Sequence, residues 1–242
     1  MITISYDGSC YHGWQVQKNA VTVQQVFQEA LYKILQERPD IKACSRTDSG
    51  VHAEMFCISM KTEHKIPAER LKGALNRFLP TNMAVLDCKE VDLDFHARYS
   101  CKGKRYVYKI WNSPVRNPFL GEYALHYRWH IDEELLNKSA QDFVGKHDFT
   151  SFCTVDNRKM ENMERTITHF SVERQGDMII MTVEADGFLY NMVRIIAGTL
   201  VDVGGGKIEP EDIEKIIESR DRNLAGKTLA PNGLYLVNVD YE

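Results

Sequence analysis

Ten residues, CSRTDSGVHA at positions 44–53, gather the groups from which chemistry could be built. They hold a guanidinium (Arg46), a carboxylate (Asp48), an imidazole (His52) and small hydroxyl residues beside a glycine. The stretch has no apolar period, which argues against an ordinary helix or core strand, and its Asp-Ser-Gly step reads as a tight turn. An acid in such a turn could cap a helix, hold a metal, cut a peptide or attack a carbon. TDSG matches the D-[ST]-G turn of aspartic proteases. Those enzymes share one proton between two carboxylates, whereas this chain has a single such turn. Arg46, two residues away, favours full ionisation over a shared proton. Ser/His/Asp catalysis would need a G-x-S-x-G turn or an equivalent, and neither this nor a Cys/His signature is present. His126 and His130 have i, i+4 spacing, but HYRWHI is strand-like, so the spacing only puts them on one side, and no metal site is expected. What remains is a single ionised carboxylate, suited to act as nucleophile or base without a metal.

The elements that must hold this turn are read from periodicity. ITISYDG predicts an opening strand and turn. TVQQVFQEALYKILQE predicts a helix with Thr22 and Gln25 as a capping box, and with Val23, Val26, Phe27, Ala30, Leu31, Ile34 and Leu35 inward. EMFCISMKT predicts a half-buried strand presenting Phe56, Ile58 and Met60 on one face. PAERLKGALNRFLP predicts a helix burying Leu71, Ala74, Leu75 and Phe78, and NMAVLDCKEV and DFHARYS predict strands. The second half repeats the rhythm. KRYVYKIW predicts a strand with Tyr106, Tyr108 and Ile110 on one side. DEELLNKSAQDFVG predicts a helix with Asp132 as N-cap. RTITHFSVER and DMIIMTVEADG predict a hairpin around Gln175-Gly176, FLYNMVRIIAGTLVDVG a helix, PEDIEKIIESR a short surface helix and GLYLVNVDY a closing strand. GGGK at 204–207 lacks the Walker spacing and follows a helix end, so it reads as a C-capping turn. The expected fold class is α+β: two similar sandwich-like halves, residues 1–103 and 104–242, with largely antiparallel sheets flanked by helices and a site in the cleft between them.

Composition fits a soluble globular protein, with 43% hydrophobic and 26% charged residues over 242 positions. There is no long apolar run and no signal-peptide plan, so a cytoplasmic location without membrane association is expected. The six cysteines form no C-x-x-C pair and read as reduced, small buried side chains. The net charge of −4 hides a segregated pattern. Between Asp94 and Glu122 there is no acid, while Arg98, Lys102, Lys104, Arg105, Lys109 and Arg116 alternate with Tyr99, Tyr106, Tyr108, Trp111 and Phe119. Cations mixed with aromatics offer phosphate neutralisation and base stacking together. A solvated strand with a few core aromatics would give the same composition.

SRTDSGVHA also resembles the motif G-R-T-D-A-G-V-H-A of the A-type tRNA pseudouridine synthases. YDGSCYHGWQVQ resembles that family's opening Y-D-G-x-x-Y-x-G-W-Q-x-Q. FHARYS, KRYVY, FLYNMVRIIAGTL and LAPNGLYL match further blocks in the same order, from Tyr6 to Leu236. Ser45 stands where the family usually has Gly, and Ser49 where it has Ala. Both are small, so altered loop detail and intact chemistry are expected.

The resemblance implies isomerisation of uridine in RNA. The ribose–N1 bond breaks and C5 of the turned base joins C1′, so no cofactor is expected. It implies Asp48 as the catalytic carboxylate, acting on the sugar, on the base or on a ribose proton. It implies Arg194 as the partner of Asp48, consistent with an arginine that interrupts an apolar helix; read from the helix alone, Arg194 could also be a snorkelling surface residue. Tyr106, which the strand alone would make a core tyrosine, becomes a stacking partner for the extruded uracil, able to help move the C5 proton. Arg46 would hold the flipped nucleotide or fill its vacated place, Leu234 would wall the uracil pocket, and His52 would hold the loop. The implied substrate is tRNA, modified on the 3′ side of the anticodon stem-loop, where several neighbouring uridines are accepted. The implied assembly is a homodimer, with Arg98, Lys102, Lys104, Arg105, Lys109, Arg116, Arg158, Lys159 and Arg165 as the RNA track. A non-catalytic RNA-binding module would explain the cations equally well. It would not explain an acid in a turn that phosphate would repel.

Overall fold

A computed structural model describes residues 1–154 and 162–242. Arg158 and Lys159 of the expected RNA track lie outside the described residues. The chain begins with β1 (Ile2–Tyr6), α1 (Val23–Leu35), β2 (Ile41–Ala43), β3 (His52–Met60), α2 (Ala68–Phe78) and β4 (Met83–Cys88). It continues with β5 (Gly103–Asn112), β6 (Leu125–Tyr127), α3 (Glu133–Ala140), β7 (Gly145–Asp148), β8 (Glu164–Gln175), β9 (Met178–Ala185), α4 (Met192–Gly204), α5 (Ile213–Ser219) and β10 (Leu234–Asp240). The fold is α+β, with sheets that are mostly antiparallel.

Two compact units emerge. The first comprises Met1–Lys102 with Tyr235–Glu242, and the second Gly103–Leu234. The closing strand therefore belongs almost wholly to the first unit, not to the half that precedes it in sequence. In the first unit β1 lies between β4 and β3, antiparallel to both. β2 pairs antiparallel with Ile58–Met60 of β3, and β10 runs parallel to β3, placing Tyr235 opposite His52 and Leu236 opposite Ala53. In the second unit the order is β5, β9, β8, β7, all antiparallel neighbours, with β6 parallel to β5. The expected hairpin is the β8–β9 pair, turned at Gly176 with φ +62°.

Helix α1 begins where the capping pattern places it, with the Gln25 N–H donating to Thr22 Oγ1 at 3.4 Å. The reciprocal half of the box is replaced: the Gln25 amide donates to Glu29 instead. Phe27, Ala30, Leu31 and Leu35 are buried, while Val26 and Ile34 are half-buried at the edge of the apolar stripe. Asp132 caps α3, accepting from Glu134 and Leu135 N–H at 3.0 Å. The Gly204–Gly206 turn does end α4, with Gly205 and Gly206 N–H returning to Val201 and Val203 carbonyls. Ile213, Ile216 and Ile217 give α5 a buried face.

Several expectations are corrected. Residues 94–100, DFHARYS, form turns and no strand. The His96 Nδ1 accepts from the Arg98 and Tyr99 N–H groups at 3.1 and 3.3 Å, and the Ser100 hydroxyl accepts from His96 N–H. These local bonds occupy donors a ladder would need. Phe78 is 43% exposed, with Lys33 5.6 Å from its ring centre, because it falls on the last turn of α2 beyond the buried Leu71–Leu75 stripe. β3 is buried on both faces in its middle, Cys57 and Ser59 as well as Phe56 and Ile58, so it is a central strand and not a half-buried one. Helix α4 starts only at Met192, since Asn191 adopts φ +62°. Helix α3 ends at Ala140, followed by a 3-10 turn over Gln141–Phe143.

Cys44, Cys57, Cys88 and Cys153 are buried thiols outside any disulfide, and burial pushes those of Cys57 and Cys88 upward in pKa. No helix among the described residues is long and apolar enough to cross a membrane.

Candidate active site

Asp48 stands on the connection from β2 to β3, half-buried. The opening segment 6–14 clamps this turn. Trp14 N–H donates to the Thr47 carbonyl at 3.0 Å, and Gly50 N–H to the Tyr11 carbonyl at 3.2 Å. The Tyr6 and Thr47 hydroxyls share a buried 2.8 Å hydrogen bond. Val51 N–H closes the turn onto the Asp48 carbonyl at 3.2 Å. The two backbones approach so closely that side chains are excluded between them. A Cβ on Gly13, at φ +81°, would stand 2.6 Å from the Thr47 oxygen, and one on Gly8 would strike the Val51 carbonyl. Only glycine fits both places. Beneath the turn, Trp14 and Tyr6 pack on Phe56, with ring centres 4.4 and 5.6 Å away. The family's opening block, seen in sequence only as a resemblance, is thus the cradle of the Asp48 turn.

His52 closes the motif and is 2% exposed. Its Nδ1 accepts from Gly8 N–H at 3.1 Å and lies 3.2 Å from an Asp7 carboxylate oxygen, and its ring stacks on Tyr235 at 4.6 Å. These contacts fit the expected loop-holding role. Arg46 is exposed. Ser49, one of the two departures from the family motif, donates its hydroxyl to the Tyr11 carbonyl at 3.4 Å, a bond that the usual Ala could not make. The departure adds a clamp to the turn.

In the second unit, Tyr106 is buried on β5 with Phe188 edge-on at 5.0 Å. Tyr108, two residues on and fully buried, donates its hydroxyl to the Ala230 carbonyl at 2.7 Å. Burial pushes the Tyr108 phenol far above its ordinary pKa, with Arg194 pulling the other way, so it remains a donor. Arg194 is half-buried on the first turns of α4. Its Nε donates to the Leu229 carbonyl and its Nη1 to Asn191 Oδ1, both at 2.7 Å. The Leu229 N–H returns to the Arg194 carbonyl at 3.2 Å. Leu234, buried, opens β10 just beyond this loop. The structure therefore brings Tyr108, Arg194 and residues 229–230 together. Sequence reading missed Tyr108 and Asn191. The Tyr108 hydroxyl bond to Ala230 is a contact that periodicity does not carry, and Asn191 looked like part of a helix.

The basic residues are not one continuous line. The β5 pleat puts Arg105 and Lys109 on one face, and Lys104 on the other with Tyr106 and Tyr108. No acid lies within the stretch itself, but Arg105 finds one outside it: its Nε donates to Glu184 at 2.6 Å across the β5–β9 ladder. Arg165 is turned onto its own strand end, donating to the Asn162 and Glu164 carbonyls. Arg98, Lys102 and Arg116 are exposed. His126 lies on β6 with its Nε2 2.9 Å from the Ser113 carbonyl. Among the described residues no cluster of three or more His, Cys, Asp or Glu could hold a metal ion.

Comparison with known proteins gives this arrangement a family. The family described as tRNA pseudouridine synthase matches residues 2–100 and 139–242. The chain is 46% identical over 241 residues to the tRNA pseudouridine synthase A of Thermoanaerobacter pseudethanolicus, covering 100% of this chain and 98% of the relative. It is 46% identical over 241 residues, with the same coverage, to that of Caldicellulosiruptor saccharolyticus. It is 43% identical over 240 residues, 99% and 98% of the two chains, to the tRNA pseudouridine synthase A 2 of Clostridium perfringens. With full-length identity of this order, and with the Asp48 turn and its cradle in place, the chain belongs to the tRNA pseudouridine synthase family.

Proposed function

We propose that this protein isomerises uridine to pseudouridine in the anticodon arm of tRNA, with Asp48 as the reacting carboxylate. The observation that carries the proposal is the clamped turn: an acid held half-buried by backbone and hydroxyl contacts from a separate segment. Preorganisation of this kind serves a reacting group more than a cap, since the catalytic cost of misplacement is large. In the reaction the C1′–N1 bond breaks and the C1′–C5 bond forms. N1 gains a proton and C5 loses one, so the product has the substrate's composition and no cofactor is consumed. Attack on the sugar, attack on the base and removal of a ribose proton all need the ionised acid.

Tyr106, Leu234, Arg194 and Arg46 are proposed to engage the extruded uridine: the ring by stacking, the leucine as apolar wall and the arginines through phosphate or carbonyl oxygens. Arg98, Lys102, Lys104, Lys109 and Arg116 are the proposed phosphate contacts, with a homodimer in the cytoplasm as the working form.

The test is tritium release from C5 of uridine-labelled tRNA transcripts. Asp48→Ala is expected to bind tRNA within about threefold of wild type and to lose turnover by at least about four orders of magnitude, the scale seen when an essential catalytic group is removed. Turnover in Asp48→Ala within tenfold of wild type would sink the assignment.

A further inference from the structure

The turn at 96–100 has a task that neither the clamp nor the uridine contacts absorb. Tyr99 is 77% exposed, although the turn that carries it is held by several buried contacts. Buried Ala97 donates its N–H to Ser59 Oγ at 3.0 Å and accepts at its carbonyl from the Tyr241 hydroxyl at 2.7 Å. Burial holds that Tyr241 phenol protonated. The Phe95 ring packs on the Tyr241 ring at 5.0 Å, and the Ser100 N–H returns to the His96 carbonyl at 2.9 Å. On this base the His96 imidazole braces the Tyr99 ring at 4.4 Å, and the Arg98 guanidinium lies 5.7 Å from the ring centre.

We infer that Tyr99, with Arg98 beside it, is a stacking platform for an unpaired base of the RNA substrate. The inference rests on the tRNA reading given above and adds a contact to it. An aromatic ring held out on a rigid turn offers its π-face at little ordering cost, and a neighbouring guanidinium can take the phosphate of the stacked nucleotide. The surroundings favour a base over a protein helix or a phosphate cluster. Beside the turn lies a cleft lined by Glu90, Asp92 and Asp94, which repels a run of backbone phosphates, so the ring carries most of the attraction and Arg98 offers room for one phosphate. An exposed ring between acids and a single adjacent arginine suits one splayed nucleotide, with its base on the tyrosine and its phosphate on Arg98.

The experiment measures the affinity of the full chain for an unmodified tRNA transcript across a salt series. Tyr99→Ala should weaken binding about fivefold to a hundredfold, the range for one lost base stack, with the slope of log Kd against log salt unchanged. Tyr99→Phe should stay within about threefold of wild type, and Tyr99→Leu, which keeps bulk but no π-face, should fall with Tyr99→Ala. Arg98→Ala should instead flatten the slope by about 0.7 to 0.9, as for one lost phosphate contact. The inference is overturned if Tyr99→Leu binds as well as Tyr99→Phe, or if Tyr99→Ala binds as wild type. It is also overturned if Tyr99→Ala sediments as a smaller species, because the ring would then be covered by a second copy of the chain. The Phe and Leu variants both retain a packed side chain, so their ratio is readable even if the Ala variant fails to fold. Pseudouridine formation by the wild type is scored separately. Its absence would end the proposed reaction and leave the binding ratios intact.

Discussion

Arg194 and Asn191, one helical turn apart, are joined by a 2.7 Å hydrogen bond from the guanidinium Nη1 to the amide oxygen. Asn191 can face Arg194 in this way while adopting φ +62°, and its amide nitrogen reaches Thr154 Oγ1 at 2.9 Å. Asparagine tolerates the left-handed region better than most residues. Together with the bond from Nε to the Leu229 carbonyl, the bridge fixes the direction of the arginine.

Asn191→Gly keeps the left-handed backbone and removes the bridge. It should lower kcat about tenfold to a hundredfold with tRNA affinity within threefold, because positioning is lost and charge is kept. Asn191→Ala loses the bridge and strains the backbone, so it should also cost about 1 kcal/mol of stability. Single-turnover kinetics and thermal melts separate the two effects. An unchanged kcat in Asn191→Gly would show that Arg194 needs no such guide.

Gly13→Ala tests the cradle. A methyl there meets the Thr47 backbone oxygen at 2.6 Å, an atom with no flexible end to give way, so the Asp48 turn must move. Turnover should fall about a hundredfold, the effect of an ångström-scale displacement. Binding of tRNA should change far less than turnover, and the chain should remain folded with lowered stability. Equal losses in affinity and turnover would point to a general collapse of the first unit.

The cations should divide by partner. Lys102→Ala should flatten the salt dependence of tRNA binding by about 0.7 to 0.9. The double variant Arg105→Ala/Glu184→Gln removes a 2.6 Å ion pair of zero net charge and should leave the slope within experimental scatter of wild type. A slope change in the double variant as large as that of Lys102→Ala would place Arg105 on phosphate.

A fourth prediction concerns acid stability. Arg174 holds Glu133 at 2.8 Å and also donates to the Ile131 carbonyl and Asn112 Oδ1. The hydrogen bond from Arg174 lowers the Glu133 pKa below its ordinary 4.5. A carboxyl lowered in the folded state contributes stability above its unfolded pKa and loses it as pH falls through the folded value. Glu133→Gln should therefore flatten the acid limb of the stability curve below about pH 4.5. Arg174→Ala, which also strips donors from Asn112 and Ile131, should cost about 2 kcal/mol at neutral pH. Urea unfolding at a series of pH values checks both.

The sequence carried the α1 stripe, the Asp132 cap, the β8–β9 hairpin and the Asp48 turn, because each rests on local chemistry or short-range period. Its errors came where distant partners decide. DFHARYS alternates like a strand, but Ser59 and Tyr241 hold its Ala97 in a turn from outside. Phe78 follows the helical period, yet it overshoots the layer that α2 covers. Of the site, the motif revealed the acid. The clamp from Tyr6 to Trp14 and the Arg194–Asn191 bond depend on non-local approach and on one left-handed residue, neither of which has a periodic signature.

The parallel pairing of β10 with β3 has a consequence for biosynthesis. Tyr235 stacks on His52, and His52 braces the strand that follows the Asp48 turn, yet the whole second unit is translated between them. On the ribosome the first unit emerges early but lacks a strand until residues 235–240 arrive, many seconds later at about 5–20 residues per second. The second unit has its sheet complete before then. A nascent chain stalled after it would hold the Asp48 turn without the β10 strand beside it, so the sheet around that turn is completed only at the very end of translation.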